Sequence, residues 1–481
     1  MSRALWSADE IAAATGGKAS GGHGGGDWSV AGIAIDSRTV LPGELFIALR
    51  GPNHDGHDFV PAALERGAAC LVDDLSARLP DTAPLIKVED TMTALTALGR
   101  AARARSTARI TAITGSVGKT GTKEALALAL SSQASTHASV ASFNNHWGVP
   151  LSLARAPRDS VYEIYELGMN APGEIAELTR LVQPEVALIT TIAPAHLGRF
   201  PSVDAIAEAK AEIFQGLIPG GTVVLDRDNP YFAALRERAQ AFECGRVIGF
   251  GKADDADARL LACRLQADGS DVRMALDGTE LRYRVGAPGR HWVKNSLAVI
   301  AIAAALGADP ERAGEALAKL EPPKGRGKRH RIVRNGGEIE VIDESYNANP
   351  VSMRAAISLL ENIQGRRIVA LGDMLELGEE TARFHAELVE PLAESQVDRV
   401  FTVGSAMRHL HAALPKDRRG IHVEQAEKLV PILASELMAG DTILVKGSLG
   451  SAMGQVVEAL LADGERGGEH ASVSACNGDR V

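Results

Sequence analysis

Cysteine is scarce in this sequence, and long apolar segments are absent from it. The 481 residues include four cysteines, Cys70, Cys244, Cys263 and Cys476, which form no Cys-x-x-Cys pair. This spacing excludes a disulfide framework and a zinc site built from cysteine pairs, and it indicates a reducing compartment. No run of about 20 uncharged apolar residues is present to span a membrane, and the N-terminal residues lack the apolar core of a signal peptide. We therefore expect a cytoplasmic protein that does not span a membrane.

Basic residues are fewer than acidic ones: the sequence has 51 lysines and arginines and 61 aspartates and glutamates, which gives a net charge of −10. Such an acidic chain is not expected to be a general nucleic-acid binder. Its hydrophobic fraction of 45% is that of a globular protein, and its length corresponds to about three domains at roughly 150 residues each. We expect a monomer whose partners are small molecules and not nucleic acid.

A glycine-rich turn, Gly115-Ser-Val-Gly-Lys-Thr120, lies between the β-branched run Ile110–Thr114 and the helix-forming run Glu124–Leu130. Strand, turn and helix predict a phosphate-binding loop, because backbone N–H groups and the helix dipole attract an anion there. Ile113 replaces the first glycine of the full eight-residue motif, so a turn that merely joins strand to helix is the alternative. The predicted nucleotide-binding residues in this stretch are Gly115, Ser116, Val117, Gly118, Lys119, Thr120 and Gly121.

Alternating strand and helix patterns predict an α/β protein of three domains. We expect a small N-terminal α/β domain over residues 1–105 and a central P-loop-type ATPase domain with a mostly parallel sheet over residues 106–324. A C-terminal Rossmann-like domain is expected over residues 325–463, and residues 464–481 are expected to be a disordered tail. The stretch Pro322–His330, with prolines followed by glycines, is predicted to be the linker between the last two domains.

Several individual elements are also predicted from composition and periodicity. Gly16–Gly26 is too rich in glycine for the interior of an element and is predicted to be a loop. Helices are expected over Val203–Gln215 and Trp292–Leu306, whereas Thr222–Ser270 is expected to hold short strands and loops.

Two side chains after predicted strands are candidate ligands of Mg²⁺. Glu166 lies at the carboxyl end of the strand Val161–Glu166, where open α/β sheets bind ligands, and a carboxylate suits this hard ion. Thr120 would ligate the same ion through its hydroxyl group, while Lys119 would reach the outer phosphates. For Glu166 the alternative is an exposed glutamate on an edge strand. His196 follows another predicted strand, but imidazole is an uncommon Mg²⁺ ligand, so a structural role is its alternative.

Lys210 interrupts an apolar stripe on the predicted helix Val203–Phe214. Apolar side chains recur at helical spacing along this helix, and Lys210 occupies the position at which the next one is due. The lysine could extend its amine to solvent from the edge of the stripe. Alternatively it is a partly buried amine with a lowered pKa, and hence a nucleophile or a site of covalent modification.

Several of these stretches together resemble the Mur ligase family, whose members form amide bonds in peptidoglycan synthesis. The resemblance covers about residues 28 to 463. It rests on Gly115–Thr120, His196–Ser202, Ala209–Phe214, Arg290–Asn295 and Gly325–Arg326. The stretches Asn144–Pro150, Asp343–Pro350 with Ser352–Met353, and Leu371–Gly378 are similar to the members that add D-alanyl-D-alanine. One departure is Leu449, which stands where many members have an arginine and removes the support for an anion contact there.

The resemblance implies a ligase that uses ATP and Mg²⁺. ATP would convert the carboxylate of UDP-N-acetylmuramoyl-tripeptide to an acyl phosphate, which the amine of D-alanyl-D-alanine attacks. Catalysis would depend on Lys119, Lys210 and His196, and the metal ligands would be Thr120, Glu166, His196 and Lys210, the last as a carbamate. Further ATP contacts would come from Asn295, Arg326 and Asp343. Substrate contacts would come from Ser37 and Arg38 at the UDP end, and from Asn144, Asn145, Tyr346 and Asn347.

Two alternatives remain: another ligase of this fold, such as a folylpolyglutamate synthase, and a P-loop NTPase that acts as a switch or binding module. The absence of an Asn-Lys-x-Asp guanine motif disfavours a GTPase. For a ligase, the acyl phosphate must be shielded from water, so we expect domain closure about the linker near Pro322–Gly327.

Overall fold

The computed structural model describes residues 4–22, 27–74, 79–140, 143–194, 197–266, 268–334, 337–361 and 363–463. In these ranges the chain forms an α/β structure with three larger sheets, one for each of the N-terminal, central and C-terminal parts, which we call units. This confirms the predicted fold class. The domain boundaries at residues 105 and 324 stay predictions, and the predicted tail, 464–481, lies outside the described residues.

The N-terminal unit is a small, mainly parallel sheet covered by helices. Its strands lie in the order β2-β7-β6-β5-β4, and only β2 is antiparallel to its neighbour. A separate short pair is formed by β1 and β3. The elements are β1 (Trp6–Ser7), α1 (Ala8–Thr15), β2 (Lys18–Ser20), β3 (Ser29–Val30), β4 (Gly32–Ala34), β5 (Glu44–Ile47), α2 (Val60–Glu65), β6 (Ala69–Val72), β7 (Leu85–Lys87) and α3 (Thr91–Arg105).

The central unit has a nine-stranded sheet with a parallel part and an antiparallel edge, in the order β16-β15-β14-β13-β12-β11-β8-β10-β9. The parallel elements are β8 (Arg109–Thr114), α4 (Lys119–Ser131), β9 (Thr136–Ala138), α5 (Gly148–Ala154), β10 (Tyr162–Glu166), α6 (Glu174–Val182), β11 (Val186–Ile189), α7 (Val203–Ala211), β12 (Thr222–Asp226), α8 (Phe232–Ala241) and β13 (Arg246–Gly251). The edge and its helices are β14 (Ala258–Gln266), β15 (Gly269–Leu276), β16 (Thr279–Val285), α9 (Arg290–Ala305) and α10 (Pro310–Leu317). Because β8 is flanked by β10 and β11, its carboxyl end lies where the connections leave in opposite directions, which is where ligands bind in such sheets.

The C-terminal unit has a six-stranded sheet in the order β17-β18-β22-β19-β20-β21, parallel except for β17. Its elements are β17 (Lys328–Arg334), β18 (Gly337–Glu344), α11 (Pro350–Ile357), β19 (Arg367–Gly372), α12 (Thr381–Ala386), α13 (Val389–Glu394), β20 (Arg399–Val403), α14 (Arg408–Ala413), β21 (Arg419–Val423), α15 (Ala426–Glu436) and β22 (Thr442–Lys446). A last helix covers residues 453–463.

Four local predictions need correction. Lys18–Ser20, expected in a loop, is strand β2, because it pairs with β7. The predicted linker is shorter than expected, since Lys328 already pairs with Asp343 as the start of β17. The helix expected over Val203–Gln215 is α-helical to Ala211 and continues as a 3₁₀ turn over Glu212–Gly216. The stretch Thr222–Ser270 contains helix α8, and long antiparallel strands begin within it.

The N-terminal and central units are joined by a continuous apolar core. Trp6 is buried between them and donates its indole N–H to the Ala154 carbonyl oxygen over 2.9 Å. Helices α3 and α5 pack closely, because Gly99 has no side chain: a Cβ atom there would lie 3.0 Å from the Pro150 backbone. We infer that the two units move as one body. No helix in the described ranges has the length and apolar character that a membrane span requires.

Candidate active site

The glycine-rich turn follows β8 and leads into α4, as predicted. Gly115 has a φ of 149°, and a Cβ atom built on it would lie 1.8 Å from the Thr190 hydroxyl oxygen, so only glycine fits this position. Gly118 precedes α4 with a φ of 85°, in the left-handed region that glycine adopts without strain. The Ser116 backbone N–H donates to the Thr191 carbonyl oxygen over 2.9 Å, which holds the turn against the end of β11.

Lys119 is the first residue of α4 and curls back over the turn. Its Nζ donates a hydrogen bond to the Gly115 carbonyl oxygen over 2.8 Å. Burial lowers the pKa of Lys119, and Arg326 lowers it further, whereas the nearby Glu166 carboxylate opposes the shift. The amine therefore lies among charged groups at the mouth of the turn, where it can contact an incoming anion.

Thr120 and Glu166 lie side by side in the folded chain. The Thr120 hydroxyl donates to Glu166 Oε2 over 2.8 Å, and the Asn144 amide donates to Glu166 Oε1 over 2.8 Å. Glu166 is 1% exposed, so it is not the surface residue of the alternative interpretation. No ion pair to this carboxylate is found among the described residues. A buried carboxylate whose hydrogen-bond donors are neutral is a suitable ligand for a divalent cation.

Lys210 is buried, which excludes the interpretation of an amine extended to solvent. It is 2% exposed, and within the described ranges its Nζ has no hydrogen-bond or ion-pair partner. Burial lowers the pKa of the Lys210 amine well below its usual value, and the charge of Lys119 lowers it further. The lowered pKa favours the neutral amine, the form that a nucleophile requires. His196, the other predicted catalytic residue near this helix, lies outside the described residues.

A cavity of about 730 Å³ lies between the central and C-terminal units and brings most of the predicted site residues together. Those on its wall are Ser116, Val117, Gly118, Lys119, Thr120, Gly121, Asn144, Asn145, Glu166, Asn295, Arg326, Tyr346 and Asn347. The predicted residues Ser37, Arg38, Gly115, Lys210 and Asp343 do not line it. Ser37 and Arg38 belong to the N-terminal unit, where the Arg38 guanidinium pairs with Asp36 over 2.7 Å.

Arg326 and Asp343 are neighbours, but only Arg326 faces the cavity. The Arg326 guanidinium carbon lies 4.1 Å from the centre of the Tyr346 ring. Asp343 is 1% exposed, and its carboxylate accepts the Gly325 N–H over 2.9 Å and the Ser345 hydroxyl over 2.6 Å. The predicted contact of Asp343 with ATP stays a prediction, and in this structure the side chain organises the chain around Arg326.

Two ion pairs on the cavity wall are formed by residues that were not predicted as site residues from the sequence. Lys294 Nζ lies 2.6 Å from Asp226 Oδ1, and burial raises the pKa of this carboxyl group while Lys294 opposes the rise. Asp226 ends strand β12, so the signal that identified Glu166, a carboxylate at the end of a strand, could also have found it. In the second pair, Lys446 Nζ lies 3.1 Å from Glu344 Oε2 and donates to the Asn347 carbonyl oxygen over 2.9 Å.

A smaller cavity, of about 350 Å³, lies at the carboxyl ends of β19, β20 and β21. It contains none of the predicted site residues. Asp373 on its wall is occupied by the backbone N–H groups of Ala406 and Met407.

Three family models match successive parts of the chain. The Mur ligase family catalytic domain matches residues 29–103, the Mur ligase middle domain matches residues 113–303, and the Mur ligase glutamate ligase domain matches residues 328–449. The three matches follow the order of the three units and include residues on both walls of the larger cavity.

Whole-chain relatives extend this match. The UDP-N-acetylmuramoyl-tripeptide–D-alanyl-D-alanine ligase of Bacillus subtilis is 34% identical over 441 residues, which cover 89% of this chain and 93% of the relative. A crystal structure of MurF from Acinetobacter baumannii has a TM-score of 0.81 at 29% identity and covers 95% of this chain and 99% of that one. The MurF ligase of Thermotoga maritima in complex with ADP has a TM-score of 0.75 at 26% identity and covers 90% and 98%. With this identity over nearly its full length, the chain belongs to the Mur ligase family.

Proposed function

We propose that this protein is an ATP-dependent ligase that joins D-alanyl-D-alanine to UDP-N-acetylmuramoyl-tripeptide in peptidoglycan precursor synthesis. The observation that carries the proposal is the single cavity shared by two units. One wall holds the glycine-rich turn with Lys119 and Thr120, and the other holds Tyr346 and Asn347. Relatives that cover nearly the whole chain carry the name of this activity.

ATP would bind at the glycine-rich turn. Its phosphates would face the backbone N–H groups at the start of α4, and Lys119 would offset the charge on the phosphoryl group that is transferred. Asn295 lies beside the turn, since a Cβ atom on Gly118 would come within 3.2 Å of its amide nitrogen. Arg326 approaches from the C-terminal unit, so both units would hold the nucleotide. ADP bound to a MurF ligase that shares this fold supports the proposal.

Mg²⁺ fits the Thr120–Glu166 pair, because both side chains offer oxygen atoms and the carboxylate accepts hydrogen bonds from neutral donors among the described residues. Bound there, the ion would neutralise phosphate charge. The described part of the chain has no cluster of three or more His, Cys, Asp or Glu side chains placed to hold a metal. The remaining ligands would therefore come from phosphate oxygens, water, the Lys210 carbamate and His196.

A carbamate on Lys210 agrees with the environment of this residue. Only a neutral amine reacts with CO₂: its nitrogen forms a bond to the carbon, one proton leaves, and the product carries one negative charge. Burial and the neighbouring Lys119 favour the neutral amine. The Lys119 ammonium would then attract the negatively charged carbamate. The same positive charge that disfavours a protonated Lys210 would therefore stabilise the product.

The C-terminal unit would present the dipeptide. After the tripeptide carboxylate has taken the phosphoryl group, the neutral amine of D-alanyl-D-alanine would attack the acyl carbon and lose one proton. Phosphate would leave with the C–O electron pair. Tyr346 and Asn347 lie on the C-terminal side of the cavity, and Lys446 fixes their loop through the Asn347 carbonyl oxygen. Asn144 and Asn145 would contact substrate from the central wall. The UDP end would extend to the N-terminal unit, towards Ser37 and Arg38.

Phosphate release from ATP tests the proposal directly. With the purified protein, ATP and Mg²⁺, release should require both UDP-N-acetylmuramoyl-tripeptide and D-alanyl-D-alanine, and mass spectrometry should detect the UDP-pentapeptide. Release with folate and glutamate in place of these substrates would favour the folylpolyglutamate synthase alternative. Hydrolysis that is independent of any acceptor would favour an NTPase switch.

A further inference from the structure

Away from the glycine-rich turn, a loop of the central unit touches a loop of the C-terminal unit. The Gly198 N–H of the central unit donates to the Glu376 carbonyl oxygen over 2.8 Å. The Arg199 guanidinium pairs with the Glu376 carboxylate over 3.0 Å. Arg199 and Glu376 have no role in the proposed ligation chemistry, although Glu376 lines the larger cavity.

The backbones of these loops meet with no side chain between them. A Cβ atom on Gly378 would lie 3.3 Å from Gly198 Cα, and one on Gly198 would lie 3.4 Å from the Glu376 carbonyl. These distances are at or slightly inside ordinary van der Waals contact, and Gly378 also has a φ of 60°, which favours glycine. The two backbones are therefore closely packed beside the Arg199–Glu376 pair.

The loop Met374–Gly378 is held in place from within the C-terminal unit. The Leu375 N–H donates to the Ser448 hydroxyl oxygen over 3.0 Å, and the Met374 N–H donates to His385 Nε2 over 3.0 Å. Glu376 has a φ of 62°, a conformation that costs about 1 kcal/mol or more for a non-glycine residue and persists where the surroundings enforce it. The loop is therefore shaped before it meets the central unit.

Ser448, which holds this loop in place, also contacts the loop that would bind the dipeptide. Ser448 lies within 3.3 Å of the Ala348 carbonyl oxygen, next to Asn347. Leu375 and Leu449 expose apolar surface, 47% and 69% of their area, and both line the cavity beside Glu376. Apolar surface at the edge of a reaction cavity disfavours water there once the units are closed.

We infer that Glu376 is a positioning residue for ligation, which holds the Met374–Gly378 loop against Gly198 and Arg199 and so excludes water from the acyl phosphate. The inference rests on the proposed function. Water that enters would attack the acyl carbon and break its bond to the phosphate oxygen. The products would be the tripeptide carboxylate, inorganic phosphate and one proton. Loss of the contact would therefore release phosphate without forming an amide bond.

The test compares phosphate released with dipeptide joined, in the full-length enzyme. Glu376→Lys places a positive charge opposite Arg199, and like charges in contact are repulsive. We expect wild-type enzyme to release one phosphate per amide formed, and Glu376→Lys to release at least about twice as much. The added change Arg199→Glu restores an opposite-charge pair and should return the ratio towards one. Glu390→Lys is the matched control, because it breaks the exposed Arg354–Glu390 pair within the C-terminal unit and should leave the ratio unchanged.

A ratio of one in Glu376→Lys, or a raised ratio that the charge exchange does not lower, overturns the inference. If Glu376→Lys fails to fold, as a lowered unfolding temperature would reveal, Arg199→Ala breaks the same pair from the other side and is judged by the same ratio. Failure of the proposed function gives a different result, since wild-type enzyme would then release no phosphate in response to the two substrates.

Discussion

Thr120 donates a hydrogen bond to Glu166 over 2.8 Å, and this contact connects the start of α4 to the carboxyl end of β10. The other oxygen of the carboxylate is held by Asn144. Both donors are neutral, and among the described residues no cation donates a hydrogen bond to the Glu166 carboxylate, which the two donors hold in position. We expect this pair to bind a metal ion that arrives with the nucleotide.

Glu166→Gln should weaken Mg²⁺ binding while preserving the fold. The amide has nearly the same shape but carries no charge, and amide oxygens bind Mg²⁺ less well than carboxylates. We expect the Mg²⁺ concentration for half-maximal activity to rise by about tenfold, equivalent to roughly 1.4 kcal/mol of binding free energy. Glu177→Gln on the exposed side of α6 is the control. An unchanged Mg²⁺ titration in Glu166→Gln would place the metal elsewhere.

Lys119→Ala should abolish turnover and leave the fold intact. The substitution removes a charge near the transferred phosphoryl group but deletes no part of the apolar core. We expect kcat to fall by about 100-fold or more, the order of magnitude for removal of one positioned donor. Circular dichroism and thermal unfolding check the fold. Near-normal activity would contradict the nucleotide assignment.

Lys210→Ala and Lys210→Arg should both lose activity, because neither side chain can form a carbamate. Short carboxylic acids such as acetate are expected to restore part of the activity of Lys210→Ala by placing a carboxylate in the vacated space. Activity is measured with and without the acid, and propanol at equal concentration is the uncharged control. Wild-type rates in Lys210→Arg would show that the carbamate is not required.

Lys210→Met should stabilise the protein at neutral pH in buffer free of CO₂. Burial lowers the pKa of this amine in the folded state, whereas the unfolded chain protonates it below about 10.4. Unfolding therefore takes up a proton, and the stability of the wild-type chain should rise with pH up to that value. Urea unfolding of both proteins at pH 7 and pH 10 measures the difference, which should be smaller at pH 10. An equal difference at both pH values would mean that the folded lysine is charged.

Ligands should make the particle more compact. We expect small-angle X-ray scattering to give a smaller radius of gyration with an ATP analogue and UDP-N-acetylmuramoyl-tripeptide together than without them. The physical reason is that the cavity walls belong to two units connected by a Pro/Gly stretch. Scattering from Lys119→Ala under the same conditions is the control. Identical profiles with and without ligands in the wild-type protein would argue against closure.

Local sequence signals were sufficient for the parts of the site that lie on one strand, turn and helix. The turn at Gly115–Thr120 and the position of Glu166 follow from short-range patterns, because each depends on residues adjacent in the chain. The burial of Lys210 was visible as an interruption of a stripe, although the pattern could not exclude an amine extended to solvent. Only the packing of α7 in the folded chain decides between the two.

Contacts between distant residues could not be predicted in this way. Lys294 meets Asp226 because α9 packs beside the carboxyl end of β12, and nothing near either residue indicates its partner. Strand β17 could not be predicted from the sequence, because most of its residues are basic. It forms because it pairs with β18 at the edge of the sheet. Trp6 donates a hydrogen bond to Ala154, which lies 148 positions later in the sequence. This contact joins the N-terminal and central units, which the sequence pattern predicts as separate domains.

The hydrogen bonds around Asp343 determine which part of the linker can bend. Gly325 and Gly327 donate to Asp343, and Gly325 also accepts from Tyr346, so this half of the linker is fixed to the C-terminal unit. We therefore expect any bending to occur between α10 and Lys324. Arg326 is thus carried by the C-terminal unit, and we expect each opening of the cavity to withdraw it from the nucleotide that we propose it contacts. We expect ADP to leave and fresh ATP to enter during the same opening of the cavity that releases the product. One opening would then complete each catalytic cycle.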